Sequence, residues 1–278
     1  MNKKILLIGC GRMGSAMLKG WLAADMGCYI VVVDPSAPQN TTCQSMQQKK
    51  LGACYSSLAE SLQAQGYDFE AIILAVKPAM IADMLQQIID SQLKAALILS
   101  VAAGKKNSWM RSILGTYLPA TLVRVMPNLP MEIGHGVSVC VAEKGVTPES
   151  RQLANTMLSA AGMCYWLEDE KLMDAVTALS GSGPAYVFLL IELLAKSAQK
   201  LGLPPELADK LAVHTVKGAG MMAALADRAA EQLRAEVTSP NGTTASALNI
   251  FMRDDALATL VDGALAAACK RSQEMSDA

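Results

Sequence analysis

Lys4-Ile5-Leu6-Leu7-Ile8-Gly9-Cys10-Gly11-Arg12-Met13-Gly14 is the stretch whose reading decides the fold. Residues 5–8 are an unbroken apolar run. Such a run, bounded at once by glycine, reads as a strand buried on both faces, as in a parallel sheet covered by helices. Gly9, Gly11 and Gly14 then stand in G-x-G-x-x-G spacing, and a helical pattern follows over 15–26. Asp34 closes the next apolar run, 20 residues beyond Gly14. Strand, glycine turn, helix and a distant acid form a dinucleotide-binding fingerprint. Gly9 permits the tight turn, Gly11 lets the backbone approach a pyrophosphate, and Gly14 lets helix and strand pack closely. The helix start, with Arg12 and Met13 between the last two glycines, offers free N–H groups to phosphate.

Outward from this unit the same grammar repeats. Further strand patterns lie at 29–33, 72–76, 97–101, 122–125 and 137–141. Helical patterns separate several of them, for example 79–89. Alternating strands and helices predict a doubly wound, Rossmann-like α/β domain. Thr147-Pro148-Glu149 reads as a helix start: a hydroxyl at the N-cap, proline at the first helical position and an acid in the first turn. That helix is expected to reach about residue 161, with a last strand at 163–167. Beyond it the strands stop. Helices are expected at 169–179, 184–201, 205–225 and 254–274, and Leu201-Gly202-Leu203-Pro204 reads as a stop and restart. The chain thus divides into 1–167, dinucleotide-binding, and 168–278, all-helical.

Composition narrows the class. The chain has 278 residues, 52% hydrophobic, which is enough for a proper core without staples. Lys plus Arg is 24, Asp plus Glu 25 and the net charge −1, so nothing calls for nucleic acid or an anionic membrane. Seven scattered cysteines without a C-x-x-C pair, and only two histidines, fit reduced thiols in a cytoplasmic protein and no metal. The N-terminal apolar run is too short for a signal peptide. No apolar run reaches membrane-span length, the nearest (185–194) being broken by Glu192. His214, inside a helical stretch, reads as ordinary packing.

Asp34 has two readings. A carboxylate there accepts hydrogen bonds from ribose hydroxyls and repels a 2′-phosphate, which favours NADH. Alternatively it only opens the Asp34-Pro35-Ser36 turn; Lys49 and Lys50 are the nearest basic residues in sequence. Two loops in the second half carry more chemistry than packing needs. Ser180-Gly181-Ser182-Gly183-Pro184 leads into a very apolar helix. Thr238-Ser239-Pro240-Asn241-Gly242-Thr243-Thr244 places four hydroxyls before another helix, a neutral cradle suited to a carboxylate.

With these loops, the sequence resembles pyrroline-5-carboxylate reductase over essentially its whole length. The residues carrying the resemblance are 8–14, Ala75-Val76-Lys77-Pro78, Ser100-Val101-Ala102-Ala103-Gly104, Arg124-Val125-Met126-Pro127-Asn128, 180–188 and 237–244. It implies a Rossmann-like domain followed by a helical dimerisation domain, and transfer of hydride from NADPH or NADH to the C=N carbon of 1-pyrroline-5-carboxylate, giving proline. It implies that Ser239 and the backbone at Gly242 and Thr243 hold the substrate carboxylate, while Thr244 hydrogen-bonds the imine nitrogen. Val76, Lys77, Pro78, Ala102, Ala103 and Asn128 would line the nicotinamide end. It further implies a homodimer, or an assembly of dimers, whose sites combine two chains. Leu129 and Asn241 depart from the family's usual Thr and Gly; Asn after Gly best tolerates a left-handed backbone. Two rivals fare worse. A short 3-hydroxyacid dehydrogenase needs a lysine early in the helix after its second glycine loop, and none precedes Lys196 there. A non-catalytic NAD(P)-sensing protein explains the first loop but not 238–244.

Overall fold

The computed structural model describes residues 3–116 and 120–277. The strands are β1 (Lys4–Ile8), β2 (Tyr29–Val33), β3 (Gly52–Tyr55), β4 (Asp68–Leu74), β5 (Lys94–Ser100), β6 (Thr121–Met126), β7 (Gly136–Ala142) and β8 (Gly162–Trp166). The helices are α1 (Arg12–Ala23), α2 (Thr41–Gln48), α3 (Leu58–Gln65), α4 (Ile81–Asp90), α5 (Asn107–Leu114), α6 (Pro148–Ser159), α7 (Met173–Val176), α8 (Gly183–Lys200), α9 (Pro205–Leu225), α10 (Ala230–Glu236), α11 (Thr243–Met252) and α12 (Ala256–Asp277). The chain folds into two compact units, Met1–Ser182 with Ala268–Ala278, and Gly183–Ala267.

In the first unit all eight strands join one sheet in the order β3-β2-β1-β4-β5-β6-β7-β8. The first six follow the doubly wound order, with every pair from β3 to β6 parallel. Among the described residues, only β6 and β7 pair antiparallel. Successive strand residues point to opposite faces. Ile5, Leu7, Val32, Ile73 and Leu99 therefore pack under Met17 and Trp21 of α1 and Met157 of α6. Leu6, Ile8, Val31, Ile72 and Leu74 pack on the other face under α3, α4 and α5. Trp21 Nε1 donates to Met157 O at 2.8 Å, which satisfies the buried indole.

Several boundaries differ from the sequence expectation. α1 starts at Arg12, inside the glycine stretch. β4 ends at Leu74, so Val76 belongs to the following loop. β3 had no strand pattern of its own. Thr147 does cap α6, its side chain accepting from Ser150 N. Ser180–Pro184 is not a free loop. A 3-10 turn (Glu170–Leu172), α7, a π-turn (Thr177–Gly181) and α8 run on as one helical segment, Glu170–Lys200. By length and mean composition alone that segment could cross a membrane, although, as expected from the sequence, Glu192 and Lys196 interrupt its apolar run. The first compact unit runs on to Ser182, with Met173 buried beside Val139 and Val141 of β7.

In the second unit α8 and α9 pack as an antiparallel pair. Gly202 at φ +99° ends α8, and Leu203 N donates back to Ala198 O, closing a Schellman-type cap.

Candidate active site

The loop after β1 is built from backbone bonds. Gly9 N donates to Val33 O at 2.8 Å and Ala75 N donates to Ile8 O at 2.8 Å, so three adjacent strand ends are tied together. Gly9 sits at φ +96°, and a Cβ there would come within 2.6 Å of the Ala75 carbonyl. A Cβ on Gly14 would lie 2.1 Å from Gly9 O. Both positions admit only glycine on steric grounds. Gly11 is different: a Cβ there meets no protein atom within 4 Å. Packing does not require glycine at Gly11, whereas close approach of a ligand to the backbone does. Gly11 is the N-cap of α1 and supplies no side-chain cap, which leaves the N–H groups of the first turn open.

Gly9, Gly11 and Asp34, singled out by the glycine spacing, line one cleft of about 480 Å³ together with Val76 and Lys77, which the resemblance implied. Its remaining wall includes Ser56, Ser57, Met80, Met84 and Gln87, which sequence reasoning missed. A signal was present. Ser57 and Glu60 have capping-box spacing, and Ser57 Oγ accepts from Glu60 N while Glu60 Oε2 accepts from Ser56 N. The pair marks the start of α3, and with it the loop after β3 that borders the cleft.

The Asp34 carboxylate fixes backbone on two sides. Oδ2 accepts from Cys10 N at 2.8 Å, and Oδ1 accepts from Ser36 N and Ser36 Oγ at 2.8 and 2.6 Å. The carboxylate thus makes the Asp34–Ser36 turn, anchors the glycine loop and still borders the cleft. Burial pushes its pKa up, but the Ser36 hydroxyl and the two backbone N–H donors outweigh that and hold it below the usual carboxylate range. Cys10 turns its thiol into the core, 3.7 Å from Cys43 Sγ. Its hydrogen bond with Cys43 and its burial both push the thiol pKa up, so it stays protonated.

The other predicted residues of this unit are not among those that line the cleft. Arg12 is exposed, Met13 packs on the core and Gly14 is buried. Pro78 opens a 3-10 turn. Ala102 is buried and Ala103 half-buried in the loop after β5. Asn128, after β6, is buried, with Nδ2 donating to Ser180 O at 3.0 Å and Oδ1 accepting from Val137 N at 2.8 Å.

In the second unit, Ser239-Pro240-Asn241-Gly242 is a β-turn closed by Gly242 N donating to Ser239 O at 3.1 Å. Asn241 has φ +58°, the left-handed conformation expected of the residue that replaces glycine there. A Cβ on Gly242 would lie 2.3 Å from Ser239 Oγ, so turn and hydroxyl are in direct contact. α11 begins at Thr243 with no side-chain cap, and Thr244 in its first turn is half-buried. Ser239, Gly242, Thr243 and Thr244 are therefore brought together at one open helix start.

A doubly wound sheet in this order, with such a glycine loop and cleft, defines a Rossmann-type dinucleotide-binding protein joined to a helical unit. The comparisons carry the description further. A family profile described as pyrroline-5-carboxylate reductase dimerisation matches residues 170–275, and one described as NADP oxidoreductase, coenzyme F420-dependent, matches 4–104. A pyrroline-5-carboxylate reductase of Pseudomonas aeruginosa is 36% identical over 99% of this chain and 97% of its own. The solved structure of a pyrroline-5-carboxylate reductase from Coxiella burnetii superposes with a TM-score of 0.86 at 30% identity, covering 99% of both chains. That of Plasmodium falciparum, with NADP bound, has a TM-score of 0.81 at 30% identity over 99% of this chain and 98% of that one. The chain belongs to the pyrroline-5-carboxylate reductase family.

Proposed function

We infer that this chain reduces the C=N bond of 1-pyrroline-5-carboxylate to give L-proline, using a reduced nicotinamide dinucleotide. The observation that carries the reading is the full-length family match of a chain holding both parts the reaction needs: a cleft edged by Gly9, Gly11 and Asp34, and the hydroxyl-rich turn at Ser239–Thr244. The cofactor supplies the hydride. The protein's work is binding and orientation. The open N–H groups around Gly11, Arg12 and Met13 receive the pyrophosphate, and Gly9 and Gly14 keep the loop close to the sheet. Val76, Lys77, Pro78, Ala102 and Ala103 surround the nicotinamide end, with Asn128 contributing by its place and not by a free amide. Ser239 Oγ and the N–H groups at Gly242 and Thr243 hold the substrate carboxylate. Thr244 hydrogen-bonds the ring nitrogen as its positive charge disappears. A protonated cyclic imine is already electrophilic, so holding its carbon against the nicotinamide supplies most of the catalysis.

Either nicotinamide dinucleotide fits the loop. The ionised Asp34 at the ribose end favours NADH over NADPH. The working form is a cytoplasmic homodimer, or an assembly of dimers, joined through the helices of 168–278. The exposed apolar side chains of α8, α9 and α12 meet a second copy, and each site combines one chain's nucleotide unit with its partner's 238–244 turn. The test is oxidation of NADH and of NADPH, followed by loss of reduced-nicotinamide absorbance, with 1-pyrroline-5-carboxylate as acceptor. Proline must accumulate in step; no oxidation with either cofactor rejects the reading.

A further inference from the structure

A proline near a helix start strips an earlier carbonyl of its partner. Ser180 lies where the π-turn Thr177–Gly181 passes into the α register of α8, in which each C=O accepts from the N–H four residues on. Four residues after Ser180 stands Pro184, which has no N–H. The Ser180 carbonyl nevertheless has a donor, because Asn128 Nδ2 reaches it at 3.0 Å. The same amide's Oδ1 accepts from Val137 N at 2.8 Å. Asn128 is only 7% exposed, so its single side chain joins the end of β6, the start of β7 and the π-turn Thr177–Gly181. The same turn lies against the end of the Met126 side chain, at the last residue of β6: a Cβ on Gly181 would lie 2.6 Å from Met126 Cε.

The location matters. Asn128 follows β6 at the carboxyl edge of the parallel strands, the edge from which Gly9, Val76 and Ala102 follow β1, β4 and β5. Ligands of doubly wound sheets bind along that edge. We propose that Asn128 is a positioning residue for hydride transfer: its amide replaces the N–H that Pro184 lacks and holds the Ser180–Gly181 turn at the nicotinamide end of the sheet edge. Both polar ends of the amide face protein, so its role is to place that turn and not to bind the cofactor. The inference rests on the reductase reading above.

Four proteins test it: wild type, Asn128→Leu, Pro184→Ala and the double variant. Steady-state reduction of 1-pyrroline-5-carboxylate is measured beside NADH and NADPH affinity, by nicotinamide fluorescence, and thermal unfolding. Asn128→Leu is expected to lower kcat about ten- to a hundredfold, the scale of a misplaced reacting group, with cofactor affinity changed less than about twofold. Pro184→Ala restores an N–H for the Ser180 carbonyl, so the double variant should recover at least about threefold of the lost kcat. A cofactor affinity that falls in parallel with kcat makes Asn128 a ligand and overturns the proposal. So does an equal kcat loss in the single and double variants, or an unchanged kcat. If Asn128→Leu does not fold, Asn128→Asp keeps an acceptor for Val137 N, lacks the amide donor, and is held to the same criteria. An inactive wild type would overturn the reductase reading itself, and would show before any variant is compared.

Discussion

The sheet unit and the helical unit bury different things. In the first, Ile5, Leu6, Leu7, Trp21, Ile72, Leu85 and Met157 are all essentially inaccessible to solvent. Each full burial of such a side chain is worth roughly 1.5–3 kcal/mol. In the second, the buried apolar residues are Ala195, Ala208 and Ala212, while Phe188 is 64% exposed, Leu260 70% and Leu225 83%. One unit closes its own core on both faces of the sheet. The other packs α8 on α9 through alanines and leaves its large side chains outside. The difference teaches that folding of the first unit is a property of one chain, and that stability of the second calls for something laid against it. Under the dimer proposed above, a second copy of the chain would meet that need through a closed twofold interface.

The largest expected effect attacks this contrast directly. Phe188→Glu combined with Leu190→Glu puts two charges at exposed positions of α8. We expect light scattering to show a dimer or larger assembly for the wild type at micromolar concentration and a monomer for the variant, with imine reduction lost. NAD(P)H affinity should persist, since the cleft is formed within the first unit. A monomeric wild type would falsify the pairing. A wild type that sediments with phospholipid vesicles would instead mean that Glu170–Lys200 meets lipid.

Next come the glycines of the loop, which separate ligand contact from packing. Gly11→Val should abolish NAD(P)H binding while leaving thermal unfolding near wild type, because its side chain meets no protein atom as it leaves the backbone. Gly14→Ala should instead destabilise the first unit by a few kcal/mol, its Cβ colliding with Gly9 O. A Gly11→Val protein that binds normally would make the loop purely structural.

Thr244→Ala should lower turnover on the imine by about ten- to a thousandfold, the loss of one hydrogen bond tuned to the transition state. Cofactor affinity should barely change, and an unaltered kcat/KM would remove Thr244 from the mechanism. Mixing Gly11→Val chains with Thr244→Ala chains then asks whether the two units of different copies share a site. Partial recovery of activity in heterodimers supports sharing; a stable dimer without recovery rejects it and leaves the interface intact.

The two regions were also unequally legible in the sequence. Around Gly9–Gly14 every requirement is local: an apolar run, glycine spacing and an acid at a fixed distance, so loop and fold class could be read directly. β3 could not, because Gly52-Ala53-Cys54-Tyr55 is short and becomes a strand only by pairing with β2. Ser180–Pro184 looked like a loop because glycine and proline disfavour helix. Asn128, distant in sequence, supplies the donor that lets the helical segment run through it. The Asn241 turn was legible because a left-handed residue leaves a compositional trace. The pairing of α8 with α9 through alanines was not, since small residues mark close packing without saying which helix they face.

The smallest effect concerns Asp34, where the two readings of one carboxylate can be weighed. Asp34→Ser removes a charge at the ribose end and also the acceptor that fixes Cys10 N. The first loss favours NADPH; the second loosens the loop for both cofactors. We therefore expect kcat/KM with NADH to fall, while the ratio of NADPH to NADH rises about tenfold, as relief of a like-charge repulsion of roughly 1–2 kcal/mol implies. The sign of the pH dependence follows from the lowered pKa. A depressed folded-state value means that Asp34 stabilises the fold above its unfolded pKa, and that this contribution is lost only as pH falls through the lower folded value. Asp34 then contributes no change of charge from about pH 5 upward, so a shift in wild-type cofactor preference there is expected to follow the 2′-phosphate of NADPH, whose second ionisation lies at about pH 6. Measuring the NADPH to NADH ratio across that range for wild type and variant decides the matter. If both cofactors lose equally, Asp34 acts on the loop alone and its charge does not reach the ribose.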